Sequence, residues 1–101
     1  MPISLTVVST PEKSKKRLKA IFRIHKGGKI IKITNFGLKG GSTYIDNKDK
    51  IKRKNYRKRH KGDLKTNDFK RGGFLSMGLL WGEHTDLKNN LIDYKRRFNL
   101  D

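Results

Sequence analysis

The stretch Phe74-Leu75-Ser76-Met77-Gly78-Leu79-Leu80-Trp81 is the only long apolar run in the chain, and it constrains the fold more than any other feature. Fully burying a large apolar side chain stabilises a fold by roughly 1.5–3 kcal/mol relative to leaving it in water, so this run belongs in a core. The rest of the chain offers few residues to cover it. Only 33% of its 101 residues are hydrophobic, which sets a single domain with one small core.

Around that run the periodicities give a β-β-β-α-α-α layout. Residues 3–10 read as a strand with Ile3, Leu5 and Val7 on one face. Residues 16–26 alternate as well, with Leu18, Ala20, Phe22 and Ile24 on one side and Arg17, Lys19, Arg23 and His25 mostly on the other. Gly27-Gly28 supplies a two-residue hairpin loop, and residues 29–36 return. In that register Ile24 pairs with Ile31 and Phe22 with Ile33, collecting four apolar side chains on one face and leaving Arg23 and Lys32 on the other.

Residues 37–43 form a glycine-rich connector. Thr43 and Asp46 have capping-box spacing, which starts a basic helix over 44–61 that ends at Gly62-Asp63. Asn67 or Asp68 caps a second helix over 69–81, or one that begins only after Gly73. The row Phe69, Gly72, Gly73, Ser76 and Leu80 has small residues in its middle, where another backbone can come close. Gly82 breaks the chain, and Thr85 or Asp86 starts a third helix with Leu87, Leu91, Tyr94 and Phe98 on one stripe. The expected fold is α+β: a small antiparallel β-sheet, made of a β-hairpin plus one N-terminal strand, followed by three short helices. Its parts are the hairpin region 1–36, the connector 37–43 and the helical region 44–101.

A net charge of +17 exceeds what solubility requires and attracts polyanions. Residues 1–36 carry +8, residues 37–71 carry +9, and residues 72–101 are neutral. The first two parts therefore face something negative, while the last supplies most of the packing. In the basic helix Lys52, Arg53, Lys54, Arg57, Lys58, Arg59 and Lys61, with Tyr56 and His60 interleaved, form a surface that grips phosphates and can stack a base. The plainer reading of the same residues is a solvated helix that doubles as a nuclear import signal. Phosphate contact here would be nonspecific, since no zinc-finger, RRM or homeodomain pattern is present. Phe74, Leu79, Leu80, Trp81, Tyr94 and Phe98 read first as core and second as a partner-packing surface, because aromatic–aliphatic clusters also make interface hot spots.

Nothing in the sequence assembles a catalytic or metal site. There is no cysteine, and His25, His60 and His84 lie far apart outside any metal spacing. Glu83-His84 lacks the second half of a His-Glu-x-x-His motif. Leu75-Ser76-Met77-Gly78 has Phe74 where a nucleophile elbow needs glycine. Asp63 and Asp68 sit in a lysine-rich loop rather than as a catalytic pair. The expectation is a protein that is not an enzyme and has no cofactor, metal or small-molecule substrate. No segment approaches the ~18 apolar residues of a membrane span, and residues 1–10 lack a signal-peptide layout. Residence in the cytosol or nucleus, or packaging from there, is expected.

Tyr56-x-x-Arg59-His60, Gly73-x-x-Ser76-x-x-Leu79-Leu80-Trp81, Leu87 and Tyr94-x-x-Arg97-Phe98 together resemble short basic proteins of large nucleocytoplasmic DNA viruses, iridovirus- and phycodnavirus-like. The resemblance covers about residues 36–98. Phe69 and the Gly82-Glu83-His84-Thr85 loop stand where that family usually has prolines. The resemblance implies a viral gene product carried in the virion and brings no catalytic residues with it. It makes a virion structural protein the first expectation: a minor capsid or cement-type subunit on the inner side of the capsid, reached through host cytoplasm or nucleus during assembly. Such a subunit would dock between larger capsid proteins and present its basic half to acidic virion components, DNA or the anionic inner membrane face. The alternative is a nonspecific nucleic-acid-binding protein of the viral core.

Overall fold

A computed structural model describes residues 2–101. The architecture is α+β. Three antiparallel strands, β1 (Ser4–Ser9), β2 (Lys16–Arg23) and β3 (Ile30–Leu38), lie in the order β1-β2-β3. Four short α-helices follow: α1 (Tyr44–Asn47), α2 (Lys50–Arg59), α3 (Gly72–Leu75) and α4 (Leu87–Arg97). A 3-10 segment, Lys61–Thr66, follows α2, and a π-helical turn, Ser76–Leu80, continues α3.

The inner face of β2 is the one its alternation predicts: Leu18, Ala20 and Phe22 are buried. The pairing with β3 differs from the expected register. Leu18 faces Phe36, Ala20 faces Thr34 and Phe22 faces Lys32, while Ile21 faces Ile33. The loop is the reason. It spans four residues rather than two, with Gly28 N–H donating to His25 O at 2.8 Å and Ile24 N–H to Lys29 O at 2.9 Å. Gly27 takes a φ of +77°, which favours glycine, and a bulge between Phe22 and Arg23 absorbs the slip. Slipping a strand by one residue exchanges its faces. Phe36 thereby enters the core, while Ile31 and Ile33, with Ile24 beyond the bulge, are exposed. Val8, Ile21, Ile31 and Ile33 thus lie on the outer side of the sheet, where Val8, Ile31 and Ile33 are exposed.

The connector begins later than expected, because β3 runs through Gly37 to Leu38. The capping box forms as its spacing predicts, with Thr43 N–H donating to Asp46 Oδ2 at 2.9 Å. The single basic helix over 44–61 does not form. Lys48 adopts a left-handed φ of 56°, and Asp49 opens α2 by accepting from the N–H groups of Ile51 and Lys52. An aspartate is more stable as a cap than inside a helix, where its side chain competes with the backbone. The apolar helix is likewise shorter than 69–81. It starts at Gly72 with Arg71 as its cap, while Asp68 accepts from Lys70 N–H in a turn before it. Trp81 N–H donates to Ser76 O at 3.1 Å, five residues back, which closes the π turn. The third helix agrees with expectation, and Asp86 caps it.

The core is one connected cluster. Phe22, Phe69, Phe74, Tyr94 and Phe98 make one aromatic cluster, with ring centroids 4.9–6.4 Å apart. Tyr94 O–H donates to Phe69 O at 2.5 Å inside it, and burial pushes that phenol well above its ordinary pKa. Leu75, Leu79, Leu80 and Trp81 belong to the same core. The C-terminus closes the free edge of β1: Asp101 N–H donates to Ile3 O and its carbonyl accepts from Leu5 N–H.

Candidate polyanion-binding surface

Helical spacing divides the seven basic residues singled out above. Arg53, Tyr56, Arg57 and His60 fall on one stripe of α2, turned toward the core, and all four are partly buried. Lys52, Lys54, Lys58 and Arg59 fall on the other side and are exposed, as is Lys61 just beyond the helix.

The two inward arginines work within the chain. Arg57 donates to Met77 O at 3.3 Å and Trp81 O at 3.0 Å, and Arg53 donates through Nε to Gly82 O at 2.8 Å. These carbonyls end the π turn, where the helix has no further N–H groups to offer them. Arg53 also meets Glu83 at 3.3 Å. Burial lowers the pKa of Arg57, with the neighbouring charges of Arg53 and Arg97 adding to the shift and Glu83 opposing it. Arg53 and Arg57 are therefore removed from the polyanion set: their guanidiniums clamp α2 to the helix end beneath it.

The partner-packing assignment is corrected more fully. Phe74, Leu79, Leu80, Trp81 and Tyr94 are buried, and Phe98 packs on Phe69, Phe74 and Tyr94. The core takes up all six, leaving none of them as an exposed anchor, while Ile51 and Ile92 of the same half stay exposed.

Little negative charge screens the outer face of α2. Among the described residues only Arg17, Arg53, Lys70 and Arg71 of the Lys/Arg residues approach a carboxylate. Asp49 and Asp86 are consumed as helix caps, and Asp46 is held by Arg17. Beside the basic face runs an aromatic stack. Trp81 and Tyr56 are parallel with centroids 4.2 Å apart, and Tyr56 and His60 follow at 4.1 Å. Burial, chiefly, and the nearby Asp63 raise the Tyr56 phenol pKa.

A family model described as a family of unknown function (DUF5754) matches residues 6–60, more than half of the chain. The chain belongs to this family. The DUF5754 stretch spans most of β1, all of β2 and β3, α1, and α2 with Tyr56, Arg59 and His60. Its description assigns no function. No curated protein and no solved structure matches the chain.

Two things were missed from sequence. The stack of Trp81 on Tyr56 joins residues 25 positions apart, a pairing no local spacing announces, whereas Tyr56 and His60 have helical i, i+4 spacing. Asn90, only 2% exposed, donates to Leu79 O and His84 O at 2.9 Å and accepts from His84 N–H, pinning the loop before α4. A polar residue on the apolar stripe of α4 was the available signal. Among the described residues no three His, Asp or Glu side chains converge as a metal site, and no helix is long and apolar enough to cross a membrane.

Proposed function

We propose that the protein binds nucleic acid without catalysis and without sequence preference, through the outer face of α2. One observation carries this reading. Lys52, Lys54, Lys58, Arg59 and Lys61 are all exposed and, among the described residues, none forms an ion pair with a carboxylate; they stand on, or just beyond, a helix that Arg53 and Arg57 tie to the core. A cluster of unpaired cations on a fixed element releases counterions from a phosphate backbone without first having to order itself.

Contact of these five cations with phosphates gives a slope of log K against log salt of about −4.5. Reversing Lys52, Lys58 and Arg59 to glutamate together leaves the clamp arginines intact. Fluorescence anisotropy with a duplex oligonucleotide, titrated across sodium chloride, should show the slope flattening by about 2.7. An unchanged slope in the folded variant rejects α2 as the contact.

The virion-subunit reading stands second, supported by a different observation. The outer sheet face presents Val8, Ile31 and Ile33, each more than 40% exposed for Val8 and Ile31 and 48% for Ile33. Such a face suits burial against a larger protein. Release of the protein with the shell on gentle disassembly of particles supports this reading, and release with the genome-bearing core supports the first.

A further inference from the structure

The side of α2 that carries the aromatic stack opens onto a trough, and its order of chemistry is specific. At one end Lys16 and His60 line a cavity of about 300 Å³, where Asp63 pairs with His60. In the middle, Leu38, Gly41, Tyr56, Leu80 and Trp81 line an apolar cavity of about 230 Å³. At the other end Ser42, Lys52, Asn55, Arg59 and Trp81 line a third, of about 350 Å³. Gly37, Leu38, Tyr56 and Ser76 are common to the first two, and Ser42 and Trp81 to the last two, so the three adjoin in this order.

A duplex backbone needs cations along its whole path and gains nothing from an apolar centre. A single strand presents a flat ring flanked by phosphates, the same alternation as this trough. We infer that the trough binds single-stranded nucleic acid, taking one unstacked base in its Trp81-lined middle while Lys52 and Arg59 on one side and Lys16 on the other hold the adjoining phosphates. The inference rests on the nucleic-acid reading above and adds the substrate form and the pocket. The wall of the middle section suits a flat ring, because Gly37 and Gly41 carry no side chain there. Gly37 could not readily hold one: its φ is +75°, and a Cβ would lie 2.9 Å from Leu80 Cδ1. Trp81 is largely buried and Tyr56 covers one face of its ring, so a base in the trough meets only the small part of the indole left open, together with Leu38 and Leu80; apolar contact of this kind is sequence-tolerant.

Trp81 is the chain's single tryptophan, so its fluorescence reports on the trough directly. The experiment titrates the full chain with an oligothymidylate, an abasic strand of equal length and a duplex. Tighter binding of oligothymidylate than of the abasic strand by about tenfold, with quenching only by the former, is the expected result. Ser42→Phe, at an exposed position on the trough wall, should bring the two strands to within about twofold. Equal binding of both strands without quenching overturns the pocket and leaves phosphate binding by α2 standing. Binding of none of the three overturns the nucleic-acid reading itself. Quenching by an acidic, tyrosine-containing peptide but by no oligonucleotide assigns the trough to a protein partner and overturns the inference.

Discussion

Arg57 and Lys58 are neighbours in sequence with opposite duties. The Arg57 guanidinium satisfies the carbonyls of Met77 and Trp81, whereas the Lys58 ammonium stands in solvent. Arg57→Gln should lower folding stability by about 1.5–3 kcal/mol, the range for a hydrogen bond to a charged donor, and Lys58→Gln should stay within about 0.5 kcal/mol. On DNA the order reverses: Lys58→Gln should reduce the salt slope by about 0.9 and Arg57→Gln should leave it unchanged. Urea unfolding and anisotropy measure the two effects, and equal behaviour of the pair in either assay rejects the division. Gly78 gives a second residue-scale test. A Cβ there would lie 2.6 Å from Tyr94 Cδ2, and that ring is held by its bond to Phe69 O and by Phe74 and Phe98. Gly78→Ala should therefore destabilise by about 1–3 kcal/mol in urea, despite the ~1 kcal/mol that alanine gains in a helix. A neutral or stabilised variant would show that the ring can move aside.

Single elements are tied down by pairs that sequence spacing partly revealed. The Thr43/Asp46 box was legible because both halves lie within one turn. Its third member was not: Arg17, on β2, donates to both Asp46 oxygens at 2.7 and 2.8 Å, joining the sheet to α1. That hydrogen-bonded pair, with the Thr43 bonds adding, holds the Asp46 carboxyl well below the usual carboxylate range. A carboxyl whose pKa is depressed by folding stabilises the fold above its unfolded value and loses that contribution as the pH falls through the folded one. Stability should therefore drop with acidification from about pH 4 downward, and Asp46→Asn should be less stable at pH 6 but less sensitive to acid than the parent. Parallel pH dependences of the two proteins would assign the acid loss to other groups. The hairpin shows the opposite case. Alternation identified the buried side of β2 from Leu18, Ala20 and Phe22, but β3 offered isoleucines at 30, 31 and 33 and so matched more than one register. Loop length decided it, through Gly27 and a bulge that no two-residue pattern anticipates. The split between α1 and α2 was readable in Asn47-Lys48-Asp49, yet the dense cations beyond it, broken by Ile51, Asn55 and Tyr56, suggested a single helix.

At the scale of the whole molecule, the charge partition read from sequence survives while its interpretation changes. Residues 72–101 do supply most of the buried apolar side chains, and these pack internally, with Leu5, Leu18, Ala20, Phe22 and Phe36 of the sheet and Tyr44 of α1. The candidate trough was illegible because its parts come from Lys16, the 37–43 segment, α2 and Trp81, which only tertiary structure brings together. Charge makes one further behaviour predictable. A fold with 26 Lys/Arg against 9 acids, whose acids are mostly spent on caps and local pairs, holds its cations together against their own repulsion. Screening between exposed charges grows as the Debye length falls to about 10 Å at 0.1 M salt. Raising sodium chloride from about 20 to 200 mM should therefore raise Tm by several degrees, since about 1 kcal/mol moves a domain of this size by roughly 4–8 °C. An oligonucleotide added at low salt should raise Tm further by mass action, and more salt should then remove that second increment as the complex dissociates. Thermal scans over the salt series, with and without the strand, test both effects. A Tm that falls with salt in the free protein would mean that its few ion pairs outweigh the repulsion, and an oligonucleotide without effect at low salt would count against nucleic acid as the partner.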